Sequence, residues 1–497
     1  MFFIVKKLED ALRIFYKTFL ILSSALCMLA LLGFKSGLGF SSTLCGLFFL
    51  LMVAYLSSRP KFQENPFAVI FCVFTLLFLS IPTVFILIMG SDYIFGLGLN
   101  DLPFTQRSYG KSIPFGFLFL SICWSSAWYA MTLVKTCSLK FNLMLLSRIA
   151  ISDIFILGLI VVVVSAFDRM EFSHLYLQGE GVKKVSLVAI LMAPSAFLAL
   201  VGAISVAKIN LGSQVQSKEI LFGLTLVFII FFMLISLQGS KAATLTETML
   251  LIIIPLSINC RQTSQMIVFP KFYFLLATAI LIIPVYFLVS VSRDLKAEVP
   301  VTIELYKAIY AGLDLNIFYK TAKAIFYRLS MGGLDRFLLI FQSFIIDGYS
   351  LTTSTSLLAY MAKNMANLLL PGTIFPEAYA PSSQLFLSVI ANQDLDGSIG
   401  MANLMRSFNT QSFTIFGLFT IMFGLYAPLA LFFFFFIMVK VFDLFSNYLW
   451  KLAIGFLFWE VLACYGFEIS LANCGQFLLG MLTMFFTLKY LSRQLIN

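Results

Sequence analysis

The sequence predicts an all-α, polytopic membrane protein with about 12 transmembrane helices and one long extracytoplasmic loop containing amphipathic helices. Three observations carry that prediction. First, of 497 residues, 61% are hydrophobic and only 11% charged, where a soluble domain has roughly 45–50% and about 25%. The mean hydropathy is +0.99. Second, the apolar residues fall in runs of about the 20 residues that a spanning helix needs. Third, Lys and Arg are distributed unequally between alternate loops. The 57 Phe residues, five of them consecutive at 432–436, suit lipid and would be a liability in water.

Taken in order, the runs are 18–34, 40–56, 68–90, 113–134, 150–167, 185–207, 219–237, 243–258, 272–292, 413–438, 447–466 and 471–489. Lys6, Lys7, Arg13 and Lys17 precede the first run, which reads as an uncleaved, cytoplasmic N-terminus. With that orientation the inside segments hold 17 Lys and Arg, the short outside loops 7, and the long loop the remaining 9. Long loops are exempt from the positive-inside rule, so both termini are placed inside. The formal charge of +10 is therefore mostly a topology signal, and a nucleic-acid partner is not expected. The chain divides into spans one to nine (1–292), the long extracytoplasmic loop (293–412) and the last three spans (413–497).

The loop carries nine basic and nine acidic residues and no Cys, so it is not a disulfide-stapled domain. Loops this long are often functional. Ile303, Tyr306, Ile309, Tyr310 and Leu313, then Ala322, Ile325, Phe326 and Leu329, recur at helical spacing. The run 336–346 is apolar but short for a span. Both are expected to lie as helices at the membrane surface. Pro371, Pro376 and Pro381 argue for an extended stretch after them. No internal repeat is visible, which weighs against an inverted-repeat transporter.

Walker, GxSxG and HExxH patterns are absent from the sequence. With one His (His174) and no CxxC among eight Cys, neither a metal site nor a cofactor is expected, and the thiols read as small buried groups. Energy for chemistry would then come from an activated, lipid-linked substrate. On a helix Lys320, Lys323 and Arg328 fall within an arc of about 140°. Such a stripe can hold a pyrophosphate or simply meet lipid headgroups. Arg328 and Asp335 are seven residues apart, two helical turns. An acid next to Arg336 serves as a base, an orienting carboxylate or half of a structural ion pair. Lys241, in Gln238-Gly239-Ser240-Lys241, sits between two apolar runs, as a functional cation or a snorkelling one. Glu247, Asp153 and Glu460 lie within apolar runs and read as paired structural groups. His174 falls in the outer loop after the fifth run and reads as a surface residue.

These features resemble the Wzy-type O-antigen and oligosaccharide-repeat-unit polymerases. The topology of twelve spans, both ends inside and one long outer loop before the last three spans is similar. Ile235-Ser-Leu-Gln-Gly239-Ser240-Lys241-Ala242 looks like the family's Gly-Ser-Arg-Gly turn. Arg328-Leu329-Ser330, followed by Leu334-Asp335, is similar to its Arg-Leu-Ser segment. Leu370-Pro371-Gly372 to Pro376-Glu377 looks like its Pro-Arg…Trp-Pro stretch. Lys241 stands where Arg is frequent, keeping the charge without the bidentate fork, and Gly372 stands where an Arg is common.

The resemblance implies a GT-C-like integral membrane glycosyltransferase of the bacterial inner membrane. Its substrate would be an undecaprenyl-pyrophosphate-linked oligosaccharide, and its partners membrane lipid and often a chain-length regulator and a flippase. A leaving pyrophosphate gathers charge, so fixed cations lower the barrier: Lys241, Arg328 and Arg336 first, then Arg293 and Lys320. The acceptor hydroxyl must lose a proton, for which Asp335 is the first carboxylate and Glu377 the second. Two alternatives stay open. One is an O-antigen ligase-like transferase, although such proteins usually rely on a His in the long loop and this loop has none. The other is a flippase or transporter of lipid-linked oligosaccharide.

Overall fold

The computed structural model describes residues 66–75, 78–79, 112–133, 148–177, 191–210, 334–348, 361–366, 414–444, 448–463 and 467–494, and isolated positions at 227–228, 230–232, 307, 311, 315–316, 319, 359 and 375. The described residues are helical, with no strand among them. The helices are α1 (Pro66–Thr75), α2 (Ser112–Leu133), α3 (Ile151–Leu177), α4 (Pro194–Asn210), α5 (Leu334–Ile340), α6 (Thr414–Phe423), α7 (Ala427–Leu444), α8 (Tyr448–Ala463) and α9 (Phe467–Gln494). The expected spans 18–34, 40–56, 243–258 and 272–292 lie outside the described residues, as do most of 219–237 and the second half of 68–90.

Local chemistry sets several helix ends. Pro194 opens α4, where its missing N–H costs nothing, and the Phe197 N–H returns to the Ala193 carbonyl at 3.1 Å. Asp153 sits in the first turn of α3, the end of a helix that favours negative charge. That helix is longer than the run 150–167 foretells. It continues to Leu177, so Asp168, Arg169, Glu171 and His174 are helical positions and not part of a loop. The extension follows from helix-compatible residues throughout, with no Gly or Pro between Val161 and Leu177.

The expected span 413–438 is the main correction. By length and composition two helical stretches could cross a membrane, Thr414–Leu444 and Ser470–Tyr490. The first does not run straight. The Phe419 and Phe434 rings lie 5.3 Å apart, whereas 15 residues of straight helix would separate them by about 22 Å. Phe71 touches both Phe416, at 6.3 Å, and Phe435, at 5.6 Å. The chain therefore reverses at Gly424–Tyr426, and α6 and α7 form a hairpin. Gly424 adopts φ +54°, a left-handed conformation that ends helices, and Pro428 stands in the first turn of α7. α7 alone keeps 18 residues, close to a span. Gly424→Ala is expected to cost about 1 kcal/mol through the left-handed φ, measured as a lower unfolding midpoint of the purified protein in detergent.

α6 is the centre of the bundle. It is covered by α2, α5, α7 and α8, and Thr414 through Ile421 are all buried. The most extensive pairing is α2 with α7, followed by α8 with α9. α1 is pinned by aromatic contacts. Phe67 meets Phe442 and Phe458 edge-on, each at 4.6 Å. Trp124 on α2 donates to Thr75 Oγ1 at 2.8 Å, and Thr75 donates in turn to the Phe71 carbonyl at 2.7 Å. On the far side, α3 and α4 pack on α9. A Cβ at Gly158 would collide with the ring of Phe228, which also meets Phe197 edge-on at 5.1 Å.

Several helices are apolar on their outward faces too. Leu425, Leu429, Phe433, Ile437 and Val441 recur every four residues and are exposed; so are Phe155, Ile156, Leu159, Ile160, Val163 and Phe167 on α3. A helix that is apolar all round belongs inside a protein or in a bilayer, and these outward faces are exposed among the described residues.

Candidate functional site

The run 336–346 does not form an outward-lying helix. α5 continues as a π-helical segment, Phe341–Ile346, and the pair packs against α2, α6 and the hairpin turn. Leu334, Phe337, Leu338 and Ile340 have no exposed surface, and Phe341 is buried. The reason is in the residues. An interfacial helix needs a polar face, whereas between Phe337 and Ile346 only Gln342 and Ser343 are polar. Those two sit in the π segment, which is tied off by the Asp347 N–H donating to the Gln342 carbonyl at 2.9 Å and by Gln342 Nε2 donating to Asp347 Oδ1 at 2.8 Å.

Gly116 makes the close approach of α2 feasible. A Cβ there would stand 2.7 Å from Leu338 Cδ2 and 3.5 Å from Phe341 Cδ1. One turn on, Phe119 meets the Phe341 ring at 5.4 Å. At the other end of the segment, Ile345 Cδ1 lies 4.0 Å from where a Gly424 Cβ would be. Thus α5 and its π extension lie along α6, with their C-terminal ends together at the turn.

Asp335 and Arg336, expected as base and pyrophosphate ligand, are the second and third residues of α5. They follow Leu334, which is fully buried, so the charged pair stands on the end of the segment remote from the turn. The first residue of α6, Thr414, is also fully buried and has φ +60°, a conformation rare for a β-branched residue. Ser343 Oγ is buried without a hydrogen-bond partner among the described residues. Lys241, Arg293, Lys320, Arg328 and Glu377 lie outside the described residues, and of the expected set only the helical positions of Asp335 and Arg336 are described. Farther along the loop, Lys363 Nζ stands 5.8 Å from the centroid of the Phe375 ring, an attractive cation–π contact.

No family model matches the chain, and neither does any curated protein or solved structure.

The acids expected within apolar runs differ in surroundings. Glu460 on α8 is buried and accepts a hydrogen bond from Asn473 Nδ2 on α9 at 3.0 Å, while Ser470 Oγ donates to the Glu460 backbone carbonyl at 3.0 Å. Its partner is thus an amide that joins two helices. Asp153 is buried as well. Ser152 Oγ reaches its Oδ1 at 3.4 Å, and Oδ2 has no partner among the described residues. Glu247 lies outside the described residues. Cys123 is a buried free thiol. Among the described residues no three His, Cys, Asp or Glu side chains come together as a metal-binding group.

Two elements escaped the sequence reading. The hairpin was announced by Gly424 and Pro428, a stop followed by a start, inside a run whose hydropathy never falls. The approach of α5 to α2 had only Gly116 as its signal, one Gly among 29.

Proposed function

We propose that this chain is a polysaccharide polymerase of the Wzy type, embedded in the bacterial cytoplasmic membrane. It moves a growing glycan from undecaprenyl pyrophosphate onto an incoming lipid-linked repeat unit at the outer face. The observation that carries this reading is α5. A segment of the long loop, bearing the adjacent Asp335 and Arg336, packs within the helix bundle, where a loop that merely connected spans would have no reason to be. The membrane setting is supported by the exposed apolar line from Leu425 to Leu444. That line extends about 28 Å at helical rise and so matches a hydrocarbon core of about 30 Å. The arrangement of twelve spans with both termini inside belongs to the same reading.

The reaction joins the acceptor hydroxyl oxygen to the anomeric carbon of the donor glycan. The bond from that carbon to the pyrophosphate oxygen breaks, and the pyrophosphate leaves with the electron pair. Asp335, or Glu377 in its place, takes the hydroxyl proton. Arg328, Arg336 and Lys241, with Arg293 and Lys320, meet the charge that collects on the leaving pyrophosphate. Arg suits this because its fork spans two phosphate oxygens.

Glycan profiling of cells lacking the chain, and of cells carrying Arg328→Ala at an unchanged protein level, tests the proposal. A single repeat unit on the lipid anchor in place of a ladder is expected in both. Loss of all surface glycan, with lipid-linked units retained inside, would make the chain an exporter. Full-length polymer held on its carrier would make it a ligase.

A further inference from the structure

We propose that Glu460 and Asn473, on facing sides of α8 and α9, hold an alkali metal cation inside the bundle. The pair takes no part in the reaction proposed above. Glu460 is 4% exposed, and the bond from Asn473 Nδ2 to its Oε2 is the one its carboxylate makes among the described residues. A buried carboxylate needs a compensating positive charge or a full set of hydrogen bonds, and one amide supplies neither. The elements packed on α8 are α1, α6, α7 and α9. α1 and α6 contain no charged residue. On α7, Asp443 is an acid, and Lys440 is exposed, with its Nζ 5.8 Å from the Phe436 ring centroid. On α9, Glu468 is an acid, and Lys489 follows Asn473 by 16 residues, about 24 Å of helix. Lys451 precedes Glu460 by nine residues on α8 itself, about 14 Å.

The groups that converge on Glu460 carry oxygen. Ser470 and Asn473 are three residues apart and share one face of α9. Ser470 Oγ lies 3.0 Å from the Glu460 backbone carbonyl, and Asn473 Nδ2 3.0 Å from Oε2. The Asn473 amide has a carbonyl oxygen next to that nitrogen, so a half-turn of the amide puts an acceptor where the N–H stands, and a serine hydroxyl keeps lone pairs beyond the proton it donates. Carboxylate, amide and hydroxyl oxygens suit hard cations. One turn along, Phe456 and Phe477 are buried and stack at 4.3 Å, closing the pair from that side. Asn473 is half-buried and Gly475 exposed, which leaves a way in from α9. One carboxylate balances one positive charge, whereas a divalent ion would leave an excess beside these rings. A proton needs a single oxygen, and here two helices contribute polar groups. A plain tie between helices needs no acid either: α1 is joined to α2 by the neutral pair Thr75 and Trp124.

Carbodiimide labelling and thermal unfolding of the full chain, purified in detergent, test this. In choline chloride, dicyclohexylcarbodiimide is expected to modify Glu460, read by peptide mass spectrometry. Sodium or potassium chloride at equal ionic strength is expected to slow that modification several-fold. The same salt is expected to raise the unfolding midpoint of the wild type by several degrees over choline and to leave Glu460→Gln, which keeps the shape and the hydrogen bond, unmoved. Modification at one rate in all three salts would mean that the carboxyl takes a proton alone, and overturns the metal ion. An unmodified Glu460 in choline chloride would mean that a fixed positive group already pairs it, and overturns the site. A salt-dependent midpoint that persists in Glu460→Gln places the cation elsewhere and overturns the site as well. Should Glu460→Gln fail to fold, the labelling of the wild type decides. Neither readout involves glycan, so failure here leaves the polymerase reading untouched.

Discussion

Replacing Asp335 with Asn is expected to reduce chain extension by about 10²–10⁴-fold, the usual contribution of a positioned general base. Asn keeps the size and hydrogen-bonding capacity of the side chain and removes the basic oxygen, so the loss would isolate proton transfer. Position matters here as much as charge. Asp335 follows the fully buried Leu334 and precedes the fully buried Phe337, so the helix that carries it is held by its neighbours. Asp335→Glu moves the carboxylate by about one methylene, and on a rigid helix that displacement matters. It is expected to retain partial extension. The measurement is the length distribution of lipid-linked glycan made by membranes supplied with repeat unit, with the amount of protein held equal. Equal activity in Asn and wild type would move the proton to Glu377, and Glu377→Gln would then show the loss.

Gly116→Leu is expected to abolish extension by a different route. A Cβ alone would stand 2.7 Å from Leu338 Cδ2, and a full Leu side chain would require α5 to leave α2. Overpacking of this kind typically costs 1–3 kcal/mol. Gly116→Ala is the milder partner, since the atom it meets is the tip of a side chain that can shift by a few tenths of an ångström. The expected order is wild type, Ala, Leu in both thermal stability and activity. The decisive comparison is Gly116→Ala combined with Leu338→Ala, which removes the obstructing atom. Recovery of activity in the double variant relative to Gly116→Ala alone would show that contact between α2 and the loop segment is what the glycine protects.

What could be read from the residues alone follows from what hydropathy measures. The helices α2, α8 and α9 appear close to where continuous apolar runs place them, because a run of that length has few other uses. Hydropathy has no sense of direction, however. The stretch from Thr414 to Leu444 is apolar on both sides of Gly424, so a reversal leaves its average untouched, and only the Gly424 and Pro428 punctuation marks the bend. The loop run 336–346 is visible as an apolar run, but it packs within the bundle and does not lie at a surface. The correct inference was available from its lack of a polar face. Asp335 and Arg336 were expected from residue type and resemblance, whereas the place of α5 beside α2 and the turn depends on Gly116 and on Ile345. Those are contacts between segments more than 75 residues apart, beyond any local pattern.

The contacts of α1 impose a schedule on biosynthesis. Phe67 ends up against Phe442 and Phe458, residues that leave the ribosome long after it. At roughly 5–20 residues per second, the stretch between Phe67 and Phe442 takes about 20–75 s to translate. For that interval Phe67 lacks these two rings, although Thr75 and Phe71 already have Trp124 of α2 beside them. A chain halted before the hairpin would leave the Phe67 ring without Phe442 and Phe458. The last helices of the chain thus complete the packing of one of its first described ones.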